Sequence, residues 1–352
     1  MVHNVISRIL TEDGVGAFRA VALDENDLPL ALFLDRWVER GKRVHWGDVY
    51  TGHIAKLAPQ QGGGFARLDN GHEIFIRNNS LQNIAEGAAV NVLIESEARR
   101  DKLARGKVVK KSATARDAFQ RWMEGLPGSE GAKVGAVKPG DHIVKATFAN
   151  ALSSIVVLPG GGRVRFVETP ALVAVDIDTV GRKDKGRAFD RALKINKCAA
   201  QEAARQLSLR GLGGAIVLDC ISPIAKTAGT HIKQEFLSSF RAICSRRAEA
   251  LAPSPFGLME AALAWRERPL AHAELDENGT PTNQSRLLTA VRSLERELVV
   301  NRAGSFRLEL PRAVGKFQEK EIASYLQELS NRYGARMSII LTDVGKAEVF
   351  KI

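Results

Sequence analysis

The chain has 352 residues, and its 51 Lys and Arg against 40 Asp and Glu leave a formal charge of +11. That length suits two or three domains with cores of their own, and the charge favours an anionic partner such as nucleic acid. Three widely spaced cysteines, Cys198, Cys220 and Cys244, argue against a disulfide framework and for reduced core thiols, which fits the cytoplasm. The opening "MVHNVISRILTEDG" lacks a basic-then-apolar export layout, and no apolar run reaches the roughly 18 residues of a membrane span.

In chain order, residues 1–41 give alternating stretches, "GAFRAVALDE" and "LPLALFLDRW", which predict strands joined at Asn26-Asp27. Residues 42–111 give five short strand candidates, "GDVYTGHIAKL", "GGGFARLD", "HEIFIRN", "AAVNVLIESEA" and "GKVVKK", with Asn70-Gly71 as a hairpin turn. Five strands of that length suggest a small barrel. Residues 112–154 hold one helical stretch, "ARDAFQRWMEGL", and a Gly-rich segment, "GSEGAKVGAVKPGD", which reads as a connector. "SIVVLPGGGRVRFVE" predicts a hairpin, "ALVAVDID" a buried strand and 187–209 an amphipathic helix stopped by Gly211 and Gly213-Gly214 before the strand "AIVLD". The polar stretch 269–283 reads as a linker, and 284–352 as helix, strand, helix, strand, a small α/β module.

Strand, crossover helix, strand predicts two neighbouring parallel strands. Asp176, Asp178 and Asp219 then emerge together at their carboxyl ends, where α/β sheets bind ligands. A strand-end aspartate often does no more than cap a turn. Three crowded carboxylates, however, repel one another unless a cation sits among them, and Mg²⁺, which takes a few carboxylates plus water and phosphate oxygens, fits the set, with Mn²⁺ as a substitute. Arg182, Lys183, Lys185 and Arg187 follow directly and offer a grip on phosphates. Phe65 and Phe75 in the barrel strands read as core or as base-stacking platforms, and Arg99, Arg100, Lys102, Arg105, Lys107, Lys110 and Lys111 supply positive charge at the barrel's exit.

The stretch from "VRFVETPALVAVDIDTVGRKDKGRAFDRALKINKCAAQ" to "GGAIVLDCISP", with "PFGLME" at 255–260, closely resembles the catalytic core of the ribonuclease E/G family of bacterial endoribonucleases. The segment "GDVYTGHIAKLAPQQGGGFARLDNGHEIFI" looks like that family's RNA-binding barrel, and the C-terminal segment is similar to its small domain; together these cover about two-thirds of the chain. The resemblance implies a multi-domain α/β fold. A ribonuclease-H-like scaffold (1–41 and 112–154) carries an inserted OB-type barrel (42–111), followed by a DNase-I-like catalytic core (155–268), the linker and the small α/β domain (284–352). It further implies Mg²⁺ on Asp176 and Asp219, with Asp178 holding a metal-bound water or serving as a third ligand, a basic active-site position near Arg246, and single-stranded RNA held by Phe65, Phe75, Lys107, Lys110, Lys111, Arg182, Lys183 and Arg187. Hydrolysis leaving a 5′-phosphate and a 3′-hydroxyl, in RNA decay or ribosomal RNA processing, is the implied reaction.

Three departures qualify the likeness. "RERPLAHAELDENGTPTNQS" stands where the family has a cysteine-rich zinc link, so a tetrathiolate zinc site is excluded and any homodimer would rely on the apolar faces of 284–352. The segment after the barrel is short and lacks the family's pocket for a 5′-monophosphate. Asp178 stands where the family usually has Asn. A non-cleaving RNA-binding or ribosome-biogenesis factor on the same scaffold, and a nuclease acting on DNA, stay open as alternatives.

Overall fold

The computed structural model describes residues 6–352 apart from 101, 115, 317 and 344. Strands β1 (Arg8–Gly14), β2 (Ala17–Leu23) and β3 (Pro29–Arg36) form an antiparallel meander. The next five, β4 (Val49–Ala58), β5 (Gly63–Leu68), β6 (Glu73–Arg77), β7 (Ala89–Ser96) and β8 (Ala104–Val109), close into a barrel in the order β4-β5-β6-β8-β7. Helix α1 (Ala118–Glu124), β9 (Lys133–Val137) and α2 (His142–Leu152) lead to a six-stranded sheet. It is built from β10 (Ile155–Val157), β11 (Arg163–Glu168), β12 (Leu172–Asp178), α3 (Ala188–Leu209), β13 (Gly214–Asp219), α4 (Lys226–Ile243), β14 (Ala248–Ala250) and β15 (Leu258–Leu263), in the order β10-β11-β12-β13-β15-β14. The chain ends with α5 (Leu270–Glu274), α6 (Asn283–Val300), β16 (Phe306–Pro311), α7 (Arg312–Gly315), α8 (Glu319–Tyr333), β17 (Met337–Thr342) and β18 (Glu348–Lys351). Among the described residues, no helix is long and apolar enough to cross a membrane.

The chain divides into two compact units, one of residues 43–131 and 150–269 and one of 7–42, 132–149 and 270–352. In the second unit the Gly-rich stretch read as a connector supplies β9, which pairs in parallel with β1 and completes a sheet of order β3-β2-β1-β9. Glycine and lysine mask a strand there because four of its five residues are exposed, so no apolar alternation marks it. Residues at the two ends of the sequence share one core: Val15 and Ala17 pack with Leu288, Val291, Leu294, Leu308 and Tyr325. Gly16 makes this approach workable, since it has φ +84° and a Cβ there would lie 2.5 Å from Leu288. The expected linker 269–283 is partly structured, by α5 and a bridge between Leu275 and Pro281.

The first unit holds the barrel and the six-stranded sheet. Alanines 192, 199, 200, 203 and 204 line the buried face of α3, which lets α4 approach closely with Ile232, Phe236 and Phe240. These helices cover the sheet face that carries Val173, Val175, Ile177, Ile216, Leu218 and Met259, all buried. The alternate residues point to the other, open face.

One buried carboxylate ties the barrel to the sheet. Glu97, just past β7, meets Arg43 Nη2 at 2.5 Å, His45 Nδ1 at 3.3 Å and the backbone N–H groups of Trp46 and Arg268, while its own N–H donates to the carbonyl of Arg266 at 2.8 Å. Arg266 stacks 4.3 Å over Trp46, and Arg99 lies 3.9 Å over Trp265, whose ring rests on Gly213-Gly214. Burial alone would push the Glu97 carboxyl up; the His45 hydrogen bond and the charges of Arg43 and His45 outweigh it and hold the carboxyl at about 2. A depressed carboxyl stabilises the fold above its unfolded value and loses that contribution as pH falls through the folded one. Glu97→Gln should therefore cost roughly 3 kcal/mol at pH 7, with the gap to wild type closing between about pH 4.5 and pH 2. Urea denaturation across that range checks this; a gap that stays constant would refute the role given to the charge.

Candidate active site

Two neighbouring strands set the centre of the site. β12 and β13 pair in parallel with Asp176 opposite Asp219, both exposed on the open face, at the carboxyl ends the sequence predicts. The antiparallel neighbours extend this line, with Arg165 of β11 opposite Asp176 and Leu258 of β15 opposite Asp219. Arg165, Asp176, Asp219 and Leu258 thus form one row across four strands, each about 5 Å from the next. Neither Asp176 nor Asp219 has a hydrogen-bonding side chain or cation as partner among the described residues. A fully buried Asn196 on α3 fastens the chain beyond Asp219, donating to the carbonyl of Ile221 at 2.9 Å and accepting from its N–H at 2.8 Å.

Asp178 lies one pleat further along β12 and is already engaged. Arg163 Nε and Nη2 both sit 2.7 Å from its Oδ2, and its Oδ1 accepts from the Val180 N–H at 2.9 Å. The Val180 N–H first, and then Arg163, hold its carboxyl below the usual range. Among the described residues no three His, Cys, Asp or Glu side chains gather into a group that could hold a metal ion. Asp178 faces an arginine, while Asp176 and Asp219 stay as a pair of oxygen donors. Exposed and side by side, with no ion pair formed to either among the described residues, they suit a divalent ion that keeps much of its water.

Arg246 is not part of this site. It is buried, with Nη1 donating to the carbonyls of Leu212 (2.7 Å) and Ala264 (3.3 Å), Nη2 to that of Leu207 (3.1 Å), and its guanidinium 5.2 Å from the Phe240 ring centroid. Those carbonyls surround the start of β13, five residues from Asp219 or about 16 Å of strand. Arg182 is also committed: its side chain is 5% exposed, pairs with Asp184 at 2.5 Å and donates to the carbonyls of Pro159 and Gly161. It shapes the β10–β11 turn that delivers Arg163 and does not face solvent as a phosphate grip. Lys183 and Arg187 are exposed, with Arg187 Nε 3.1 Å from Asp190. Arg163 and Arg165 were missed in the sequence, although the alternation of "RVRFVE" opposite "VDID" places both on the acids' face.

On the barrel a second row crosses four strands: Lys56, Phe65, Phe75 and Arg105 are successive register partners on β4, β5, β6 and β8. Phe65 and Phe75 meet edge to face with centroids 5.6 Å apart, half-buried and outside the barrel core of Ile54, Ala66, Ile74, Ile76, Val92 and Ile94. Gly63 lies beneath Phe75, where a Cβ would be 2.7 Å from the ring. Lys107 is exposed on the same strand as Arg105 and 3.4 Å from Glu95; Lys110 and Lys111 are exposed just beyond it. Arg99, counted among the free charges, is buried against Trp265.

Residues 108–265 match the model of the Ribonuclease E/G family. The chain is 28% identical to ribonuclease E of Escherichia coli over 57% of its own length and 20% of that protein. It is 40% identical to ribonuclease E of Haemophilus influenzae over 22% of its length and 8% of the relative's. It is 39% identical to a chloroplastic ribonuclease E/G-like protein of Arabidopsis thaliana over 22% and 8%. The chain thus spans a fifth or less of the length of these curated relatives.

Replacing Arg246 separates a structural from a catalytic role. Arg246→Met strands the carbonyls of Leu212 and Ala264, while that of Leu207 keeps the Leu212 N–H, and should lower stability by about 2–4 kcal/mol, read as a shift in the urea midpoint. A variant as stable as wild type but inert would return Arg246 to the chemistry.

Proposed function

We propose, because residues 108–265 match the model of the Ribonuclease E/G family, that this protein is a divalent-cation-dependent endoribonuclease acting on single-stranded RNA. The observation that carries the reading is the row of Arg165, Asp176, Asp219 and Leu258, in which two unpaired carboxylates share one level of an open sheet face beside an arginine. A scaffold that only binds RNA gains nothing from two bare acids facing a polyanion.

Asp176 and Asp219 would hold the cation, Mg²⁺ or Mn²⁺, by one oxygen donor or more each. Such an ion, when bound, supplies a Lewis acid and makes water a nucleophile near neutral pH. Arg165 meets the non-bridging oxygens of the phosphate and offsets the charge that grows there as water attacks phosphorus. Asp178 orients Arg163 toward the same phosphate. The water oxygen joins phosphorus, the bond to O3′ breaks and O3′ takes a proton, so the products carry a 5′-phosphate and a 3′-hydroxyl. Phe65 and Phe75 stack on bases of the strand, while Lys56, Arg105, Lys107, Lys110 and Lys111 follow its backbone. Lys183 and Arg187 are placed to meet phosphates beyond the acids. RNA decay or ribosomal RNA processing is the proposed setting. The barrel order, with β6 and β8 parallel, suits an OB-type module, and the order β3-β2-β1-β9 a ribonuclease-H-like sheet.

With labelled single-stranded RNA and Mg²⁺, Asp176→Asn and Asp219→Asn should each lose at least about a hundredfold in rate, near 3 kcal/mol, while staying folded and binding RNA; undiminished cleavage by either would sink the reading. Asp178→Asn should keep cleaving, because it lies outside the donor pair. In filter binding, Phe65→Ala and Phe75→Ala should each weaken RNA by about 1–3 kcal/mol with unchanged unfolding curves, since neither ring belongs to the barrel core. Wild-type affinity in both would remove the platform.

A further inference from the structure

We propose that Phe256 is a base-stacking residue of the cutting site, holding one nucleobase beside the phosphate to be cleaved; this rests on the reading of Asp176 and Asp219 as the cutting centre. Phe256 is 88% exposed, more than any other large apolar side chain among the described residues, and Leu251 and Leu258 nearby are 62% and 38% exposed. The ring sits in the turn 251–257 between β14 and β15. Because Leu258 is the register partner of Asp219, that turn lies at the same sheet edge as the acids.

The turn is held by hydrogen bonds at several points. Leu251 N–H donates to Glu260, Ser254 N–H to Leu258 and Gly257 N–H to Ser254, at 2.8–2.9 Å, and the Cys220 N–H, immediately after Asp219, donates to the Gly257 carbonyl at 3.0 Å. Pro253 and Pro255 restrict the backbone further. Gly257 has φ +86°, and a Cβ on it would be 3.0 Å from the Cys220 carbonyl, so the turn is pressed against the end of β13. A backbone so fixed holds its aromatic ring out in water and forgoes the gain that burying it would bring.

The neighbours decide what would cover the ring. At the same sheet edge lie two carboxylates that suit a cation and, further along the row, Arg165. A ligand that brings anionic groups to the cation and arginine, and a flat apolar face to the ring, is a nucleotide within a strand. A protein surface would have to meet bare acids and a phenyl ring together. Phe256 is thus a positioning residue, which fixes the strand so that one phosphate stays over the acids.

The test uses the full chain. In single-turnover cleavage of a labelled RNA with Mg²⁺, Phe256→Ala should lower kcat/KM about 5- to 100-fold with an unchanged unfolding midpoint, and Phe256→Trp should restore it. A set of RNAs, each with one abasic nucleotide near the cut, should contain one position that costs wild type the same factor and costs Phe256→Ala nothing further. Equal losses in both proteins at every position would overturn the proposal. A binding arm separates this from failure of the nuclease reading. Asp219→Asn protein, with and without Phe256→Ala, is mixed with RNAs carrying 2-aminopurine at successive positions. Quenching at one position that requires Phe256 establishes the stacking even if wild type cleaves nothing, and identical fluorescence in the two proteins overturns it.

Discussion

The parallel register of β12 and β13 is the constraint on which the site depends. It sets Asp176 beside Asp219, and the antiparallel pairings on either side set Arg165 and Leu258 in line with them. Side chains alternate along a strand, so slipping β12 by one residue would turn Asp176 toward the helices and bring Val175 or Ile177 to the open face. Burying a carboxylate against the alanine-lined face of α3 would cost far more than the slip could return. The same apolar alternation that builds the core beneath α3 and α4 therefore fixes which acids meet above it.

Attachment of the barrel follows a different principle. Where the sheet relies on apolar burial, the barrel is joined through Glu97, two arginine–tryptophan stacks and a pair of glycines that admit the Trp265 ring. Such a joint is specific in direction, because each donor has a fixed partner. It lies where β15 ends, near the start of β13, so the acids are free of the groups that hold the barrel in place.

Much of this was readable in the sequence. The five barrel strands, the strand, helix and strand around the acids, and the position of Asp176 and Asp219 all follow from apolar alternation, a turn at Asn70-Gly71 and the glycines after α3. What could not be read is where an arginine's head goes. Arg182 and Arg246 look like free cations in the sequence, yet both serve backbone carbonyls at places where loops leave peptide groups without ladder partners. Arg163 and Arg165 went unnoticed for the opposite reason: each is one residue in an alternating strand, and only pairing with β12 reveals what it faces. Strand β9 escaped because an exposed strand of Lys, Gly, Val and Ala carries no periodic signal.

The pairing of Arg163 with Asp178 alters how this protein answers to salt. A free arginine that meets an RNA phosphate neutralises it and frees the cations condensed along that strand, and their release drives much of the binding. Arg163 instead carries a tethered carboxylate as its counterion, as Arg187 does with Asp190. Because Asp178 stays beside Arg163, the pair neutralises less of a phosphate's charge and frees fewer of the cations condensed on it. The formal charge of +11 therefore overstates the ionic-strength dependence of the RNA binding proposed for this face. In the barrel row Glu95 acts on Arg105 and pairs with Lys107 at 3.4 Å, whereas Lys56 has no carboxylate opposite it in the strand register, and salt should act most strongly there.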